Sequence, residues 1–255
     1  MAQHTNNNHY ISKVLIRRFS NNNKRRYYCE KGIIREEDAK HIFSADNIYD
    51  DKLEKAFGLN ESKLANLFGE IDEKLTFKPN ALMKEITIPE WNVLVYNSKD
   101  HAEAVSSLNT FFLRMNLKFS AANTNPNLDE INVAREASTN TTLSNYNSIV
   151  FIKYNFNFCP FVLPANIPVI LTVGMNLVFV TPLSVDTLML HYCSENILNS
   201  FIKKYRYKHQ VNLSMVSLNT PSGTTLCNFV CSDKKYSENL IKQFYNIHFI
   251  KRIIP

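Results

Sequence analysis

The stretch NLVFVTPLSVDTLMLHYC, residues 176–193, decides the fold class, because it contains two short β-rich runs separated by proline and aspartate. Apolar and β-branched runs bounded by Pro, Gly or Asp are typical of strands in an antiparallel sheet. The preceding run FCPFVLPANIPVILT, residues 158–172, has the same character. The sequence therefore predicts a small antiparallel sheet, mainly in the C-terminal half.

Outside this region the apolar residues mostly recur with a helical period. The segment 50–76 predicts a long helix with a break at Gly58–Asn60, and Pro89 suits the first turn of a helix through EWNVLVYN, residues 90–97. Further helices are predicted at residues 10–19, 99–119, 130–138, 194–204, 211–219 and 235–246, and a hairpin is predicted at residues 27–34. We expect an α+β fold: a loose segment at residues 1–8, then one helix-rich domain over residues 9–255.

Composition excludes several classes of protein. A chain of 255 residues with 45% hydrophobic residues can bury a core, and no apolar run is long enough to span a bilayer. The five cysteines form no CxxC pair, which indicates reduced thiols and a cytoplasmic location. GxGxxG, GxxxxGK[ST], GxSxG and HExxH are all absent. We therefore expect no cofactor, no metal and no membrane partner.

The net charge of +6 is unevenly distributed. Residues 1–40 contain nine Lys and Arg against four acids, and residues 201–255 contain nine against two, whereas residues 41–100 contain seven against eleven. If the two basic ends meet in the fold, they form a positive surface of the kind that binds nucleic acid. Two separate solvated faces are the alternative.

The opening HYISKVLIRRF, residues 9–19, resembles a bacterial family of domains of unknown function, number four-two-three-eight, whose members begin His-Tyr-(Val/Ile)-Pro and continue to Leu-(Arg/Lys)-x-Phe. Here Ser12 replaces the proline. HIFSADNIYDD at residues 41–51, NESKLANLF at 60–68 and LNTFFLRMN at 108–116 resemble later segments of the family, which makes Glu61 and Arg114 candidates.

The main departure from the family lies in FVLPANIPV, residues 161–169, where relatives read Phe-(Ile/Val)-Thr-Ser-Asp-Asn-Pro-Val. Ala165 stands at the position of the aspartate, and Asn166 is retained. The resemblance thus implies a divergent member of the family, and this substitution leaves its activity open.

These residues suggest a site for phosphate chemistry. A histidine acting as acid or base, arginines that neutralise phosphate and a carboxylate that orients the imidazole would suffice for metal-independent RNA cleavage. The candidate catalytic residues are His9, Tyr10, Arg17, Arg18, Glu61, Arg114 and Asn166. Alternatively, the motif is a polar network that fixes the first helix to the fold.

A second basic segment, KKYRYKHQ at residues 203–210, alternates aromatic and basic residues as in single-stranded nucleic-acid binding, although a solvated helix end would look the same. The candidate nucleic-acid-binding residues are Lys203, Lys204, Arg206 and Lys208. We therefore expect a protein that binds or acts on nucleic acid, RNA rather than DNA, with a nuclease-like toxin or phage-defence effector as its enzymatic form. The alternative is a non-enzymatic protein with a protein partner, and the sequence defines no oligomeric state.

Overall fold

The computed structural model of the protein describes residues 7–46, 51–75, 91–96, 149–154, 159–191, 194–220 and 223–248. In this part of the chain helices and antiparallel sheets are mixed, which confirms the α+β class. The described helices are α1 Lys13–Arg17, α2 Asp51–Lys74, α3 Glu195–Lys204, α4 Lys208–Val216 and α5 Lys234–His248. The helices expected at residues 99–119 and 130–138 lie outside the described residues, and the number of domains stays a prediction.

The long helix α2 differs from its prediction, because it runs through Gly58 without a break. A glycine in a helix interior costs only about 1 kcal/mol. The second half of α2 buries Leu64, Phe68 and Ile71, each at most 2% exposed, and this packing outweighs that cost. The expected break at Gly58–Asn60 is therefore wrong.

The largest sheet in the described residues has five antiparallel strands in the order β5-β6-β10-β9-β8. The strands are β5 Trp91–Tyr96, β6 Ile149–Tyr154, β8 Val169–Val173, β9 Asn176–Pro182 and β10 Thr187–His191. The predicted C-terminal sheet is thus confirmed, but the helix predicted over residues 90–97 is wrong. A short run of aromatic and β-branched residues fits a strand, and pairing with β6 selects that structure.

A second sheet of four strands, in the order β3-β2-β13-β7, joins the two ends of the described chain. Its strands are β2 Tyr27–Glu30, β3 Ile33–Glu36, β7 Leu163–Pro164 and β13 Phe229–Cys231. The predicted hairpin is confirmed: Lys31 and Gly32 both have positive φ, 51° and 82°, as a two-residue type I′ turn requires. The pairing of β2 with β13 brings the N-terminal and C-terminal basic segments into one sheet.

Two further strand pairs complete the described structure. They are β1 Asn7–His9 with β4 Ser44–Asp46, and β11 Ser217–Thr220 with β12 Gly223–Leu226. The strand β1 therefore includes the last two residues of the segment that was expected to be loose. The helix expected over 211–219 begins instead at Lys208 and ends at Val216, because Ser217–Thr220 pairs with β12.

The buried apolar residues of both larger sheets and of the helices form one cluster. Residues from the opening motif lie at its centre, since Ile11, Leu15, Ile16 and Phe19 are all 0% exposed. The predicted inward face of Ile11, Val14, Leu15 and Phe19 is confirmed for three of these residues, whereas Val14 is only half-buried, and α1 itself is five residues long. No described helix is long and apolar enough to cross a membrane.

Candidate functional site

His9 lies inside the fold and not on its surface. It belongs to β1, its side chain is 1% exposed, and its Nε2 lies 3.0 Å from the carbonyl oxygen of Ala39. A carbonyl oxygen only accepts, so Nε2 carries the proton of this hydrogen bond. The bond joins β1 to the segment after β3, and in this position the imidazole is closed to a large substrate.

Arg18, at the end of α1, forms hydrogen bonds with two parts of the chain that are distant in sequence. Its Nη1 and Nη2 donate to the two carboxylate oxygens of Asp72 at 2.8 and 2.7 Å, and its Nε donates to the carbonyl of Leu183 at 2.7 Å. The guanidinium carbon also lies 4.9 Å from the ring centre of Phe68. Since a bidentate arginine–carboxylate pair is strong and directional, these contacts fix the position of the first helix.

The other residues of the predicted catalytic set do not gather around Arg18. Glu61 lies on α2 about three turns before Asp72, or about 16 Å along the helix axis. Arg17 is exposed at the end of α1, and Arg114 lies outside the described residues. Arg18 therefore pairs with Asp72, which was not among the candidate residues, and the catalytic roles of this set stay predictions.

Tyr10 and Asn166, which come from separate resembling segments, do meet in one cluster. The Sγ of Cys227 donates to the Oδ1 of Asn166 at 2.7 Å, and Tyr28 hydrogen-bonds the side chain of Asn228. The rings of Tyr10 and Tyr28 both pack on Phe43, with centroids 5.8 and 5.4 Å away. We refer to Tyr10, Tyr28, Asn166, Cys227 and Asn228 as the tyrosine–cysteine cluster.

The electrostatics of the tyrosine–cysteine cluster favour binding over proton transfer. Burial raises the pKa of Tyr28 to about 12 and that of Tyr10 well above its usual range. Both phenols are therefore neutral at physiological pH and serve as hydrogen-bond donors. The neutral amide of Asn166 bonds to Cys227, so the described part of the cluster offers polar contacts but no general base.

Sequence reasoning missed Tyr28, Cys227 and Asn228. Tyr28 lies in the predicted hairpin, but nothing local indicated that β2 would pair with β13 and bring Asn228 beside it. Asn228 also holds the hairpin turn, since its Oδ1 accepts the backbone N–H of Lys31 at 3.0 Å. The cluster thus depends on pairing between residues far apart in the sequence.

The four predicted nucleic-acid-binding residues have different surroundings. Lys208 is only 5% exposed, and its Nζ lies 3.4 Å from the carbonyl of Val185 and 5.5 Å from the ring centre of Phe161. Lys204 donates to the carbonyl of Thr172 on β8 at 2.6 Å. Lys208 therefore cannot contact nucleic acid from this position, and the ammonium of Lys204 is hydrogen-bonded to strand β8.

Lys208 belongs to a network around Asp186. Burial alone would raise the pKa of Asp186, but hydrogen bonds from Ser184 and Thr187 and the nearby Lys153 ammonium lower it. Lys153 Nζ lies 3.5 Å from Oδ2 of Asp186. Burial lowers the pKa of Lys208 itself. The network fixes the connection between β9 and β10, the same connection that Arg18 contacts.

The remaining residues of this basic segment are exposed. Lys203 and Arg206 face solvent, and the Arg206 guanidinium carbon lies 5.7 Å from the ring centre of Tyr207, whose side chain is 57% exposed. We call Lys203, Arg206 and Tyr207 the α3–α4 corner. Within the described ranges, no group of three or more His, Cys, Asp or Glu residues could hold a metal ion.

Comparison with known proteins gives one match. Residues 7–96 match the family model described as a protein of unknown function (DUF4238). The matched range includes the HYISKVLIRRF motif, α2 and β5, and over these residues it confirms the resemblance predicted from the sequence. No curated protein and no solved structure matches the chain.

Proposed function

We propose that the protein binds single-stranded nucleic acid, RNA in preference to DNA, at the α3–α4 corner. The observation that carries the proposal is the exposed Tyr207 ring with Arg206 beside it and Lys203 nearby in the chain. Exposed aromatic rings stack on unpaired bases, and cations beside them contact the phosphates. This combination supports binding to a flexible strand more than to a duplex.

The local backbone also supports an anionic ligand at this corner. The helix α4 begins at Lys208, directly after Tyr207, so the positive end of its dipole lies at the corner. Tyr207 precedes α4 without capping it through its side chain, which leaves the ring available for stacking. Lys203 stands in the last turn of α3, one residue before the lysine that bonds to β8.

The geometry gives less support to catalysis. His9 is buried and hydrogen-bonded to Ala39, and His209, two residues after Tyr207 in the chain, contacts the hydroxyl of Tyr236 and the amide oxygen of Gln243. A nuclease, toxin or phage-defence activity therefore stays a prediction. The structural contacts of His9 and Arg18 also favour the non-enzymatic alternative, in which the opening motif stabilises the fold.

Fluorescence anisotropy with a labelled, unpaired RNA oligonucleotide tests the proposal. Tyr207→Ala is expected to weaken binding by about 1 to 3 kcal/mol, which is the value of one stacked base. Arg206→Gln is expected to weaken binding and to reduce the slope of log affinity against log salt by about 1. An unpaired DNA of the same sequence and an RNA hairpin are expected to bind more weakly.

Tyr245→Ala and Lys235→Gln are matched controls, because both residues are exposed on α5. If they weaken binding as much as the corner variants do, or if the wild-type chain binds no RNA even at low salt, the proposal fails. Incubation with total RNA and plasmid DNA, with and without EDTA, tests the enzymatic form separately. Cleavage that survives EDTA and is lost in His9→Gln would reinstate the catalytic prediction.

A further inference from the structure

The hairpin formed by β8 and β9 has an exposed apolar tip. The two strands are antiparallel neighbours, and Gly174 and Met175 form the two-residue turn that joins them. Gly174 has φ 61°, which suits the first position of a tight hairpin turn. The side chain of Met175 is fully exposed. The hairpin therefore presents an apolar residue where turns ordinarily carry small or polar ones.

One face of this hairpin is buried and the other is exposed. In β8 buried and exposed residues alternate, and the buried ones are Val169, Leu171 and Val173. On the other face Ile170 is 53% exposed, and on β9 Leu177 is 58% exposed. Leu177 lies directly opposite Thr172, two residues along β8 from Ile170, so the two apolar side chains share that face. We call Ile170, Met175 and Leu177 the tip patch.

A basic helix end lies beside the tip patch. The Nζ of Lys204, in the last turn of α3, donates to the carbonyl of Thr172 at 2.6 Å. Lys203 precedes it in the same turn, whereas Glu195 stands in the first turn, at the opposite end of the helix. Residues 154–185, which include the hairpin, contain no Asp, Glu, Lys or Arg. The hairpin is therefore apolar at its tip and flanked by cations where β8 meets α3.

The bond between Lys204 and Thr172 also fixes how far the tip extends beyond the cation. Met175 follows Thr172 by three residues, so the tip reaches up to about 10 Å past the ammonium. Elements that lie at a membrane surface bury their apolar side chains about 5–10 Å into the boundary between headgroups and acyl chains. With the hairpin pointing into a bilayer, Met175 reaches the acyl chains while Lys204 stays among the headgroups.

We propose that the tip patch docks on an anionic lipid surface. Apolar side chains next to lysines match acyl chains beneath negative headgroups, and the net charge of +6 adds a longer-range attraction. The patch has no aromatic ring among its three residues that could stack on a base, which separates it from the α3–α4 corner. The like charges of Lys203 and Lys204 oppose pairing of two copies through this surface. The expectation of no membrane partner rested on the lack of a run long enough to span a bilayer, and a surface contact needs no such run.

Co-sedimentation of the full chain with lipid vesicles tests the proposal. Vesicles of phosphatidylserine and phosphatidylcholine in equal amounts are expected to bind the chain at least about fivefold more tightly than pure phosphatidylcholine vesicles, because each cation near an anionic surface contributes about that factor. Met175→Ser is expected to lower binding about tenfold, the lower end of what burial of a methionine side chain supplies. Met175→Leu is expected to retain it. Ile33→Ser is the matched control, because Ile33 is also exposed and follows the turn of the β2–β3 hairpin.

Two further variants separate the charge from the depth of insertion. Lys204→Gln is expected to lower binding to the anionic vesicles about fivefold, whereas Lys204→Arg keeps the charge and the donors and is expected to retain it. Lys242→Gln, exposed on α5, is the control for loss of one cation. Met175→Trp is expected to shift its emission to shorter wavelength on anionic vesicles, beyond any change in the wild-type chain, whose single tryptophan is Trp91.

Equal binding to charged and neutral vesicles overturns the proposal, as does binding that Met175→Ser leaves unchanged. A wild-type dimer that Met175→Ser converts to a monomer would overturn it too, because the patch would then hold a second copy. Full competition by glycerophosphoserine, a headgroup without acyl chains, would have the same meaning for the apolar tip. The inference goes beyond the proposed function and fails separately from it: Tyr207→Ala is expected to affect RNA binding alone, and Met175→Ser vesicle binding alone.

Discussion

The opening motif and the α3–α4 corner both combine arginine, lysine and aromatic residues within a few positions, yet the fold uses them differently. Arg18 makes three hydrogen bonds to Asp72 and Leu183, whereas Arg206 lies beside an exposed ring and faces solvent. The difference lies in the partners that the rest of the chain supplies. A basic cluster is structural where distant segments bring acceptors to it, and it is available for a ligand where they do not.

The largest expected effect is the loss of the Arg18–Asp72 pair. Arg18→Ala leaves the Asp72 carboxylate and the Leu183 carbonyl without this donor, and we expect the free energy of unfolding to fall by roughly 2 to 4 kcal/mol. Arg206→Ala, as an exposed substitution, is expected to change it by at most about 0.5 kcal/mol. Chemical denaturation of both variants provides the measurement. An equal loss of unfolding free energy in the two variants would show that the two arginines do not differ in structural role.

The second effect is a dependence of stability on pH that comes from the buried core. Burial lowers the pKa of His191 on β10 to about 4, whereas an unfolded histidine titrates near about 6.5. Between these values the unfolded chain binds the extra proton, so stability is fully present above about pH 6.5 and falls as the pH drops towards about 4. The total loss is roughly 3 kcal/mol.

The His191 prediction is checked by measuring the free energy of unfolding across this pH range. Glutamine does not titrate, so His191→Gln is expected to reduce the change in the free energy of unfolding over this pH range by the same roughly 3 kcal/mol. The carboxylates then account for the remaining pH dependence. A slope that is unchanged in His191→Gln would mean that another group carries it.

The third effect concerns RNA binding and compares an exposed lysine, Lys203, with a buried lysine, Lys208, in the same basic segment. Lys203→Gln is expected to reduce the salt slope of RNA binding by about 1, because one phosphate contact is lost. Lys208→Met is expected to leave affinity within about 0.5 kcal/mol, because its ammonium is buried against Val185 and does not reach a ligand. Anisotropy on folded samples of both variants distinguishes them, and an equal effect would show that Lys208 reaches the surface.

Local sequence signals predicted the elements that depend on neighbouring residues. The turn at Lys31–Gly32, the helix that follows Ser194 and the buried face that contains Leu15 and Phe19 all follow from short-range pattern and turn chemistry. The strand β5 was mistaken for a helix, because a short run with five apolar or aromatic residues out of six does not distinguish the two structures until β6 pairs with it.

The candidate site was less predictable, because its contacts join residues that are far apart in the chain. The bonds of Arg18 span 54 residues to Asp72 and 165 residues to Leu183, and the Cys227–Asn166 bond spans 61. The resemblance to the family identified Arg18 and Asn166 as candidate residues. It did not reveal their partners, since any carboxylate on α2 that faces α1 would have satisfied the same pattern.

The smallest effect concerns Ser12, which stands where the family motif is expected to have proline. Ser12 has φ −53° and ψ 133°, values that proline adopts without strain, and its Oγ accepts the N–H of Val14 at 3.3 Å. Ser12→Ala loses this cap and is expected to lower the free energy of unfolding by about 0.5 to 1 kcal/mol. Ser12→Pro loses the same bond but restricts the unfolded chain, which offsets part of the loss. We therefore expect Ser12→Pro to have a higher free energy of unfolding than Ser12→Ala in chemical denaturation. The opposite order would show that the fold needs the backbone N–H of Ser12, which proline lacks.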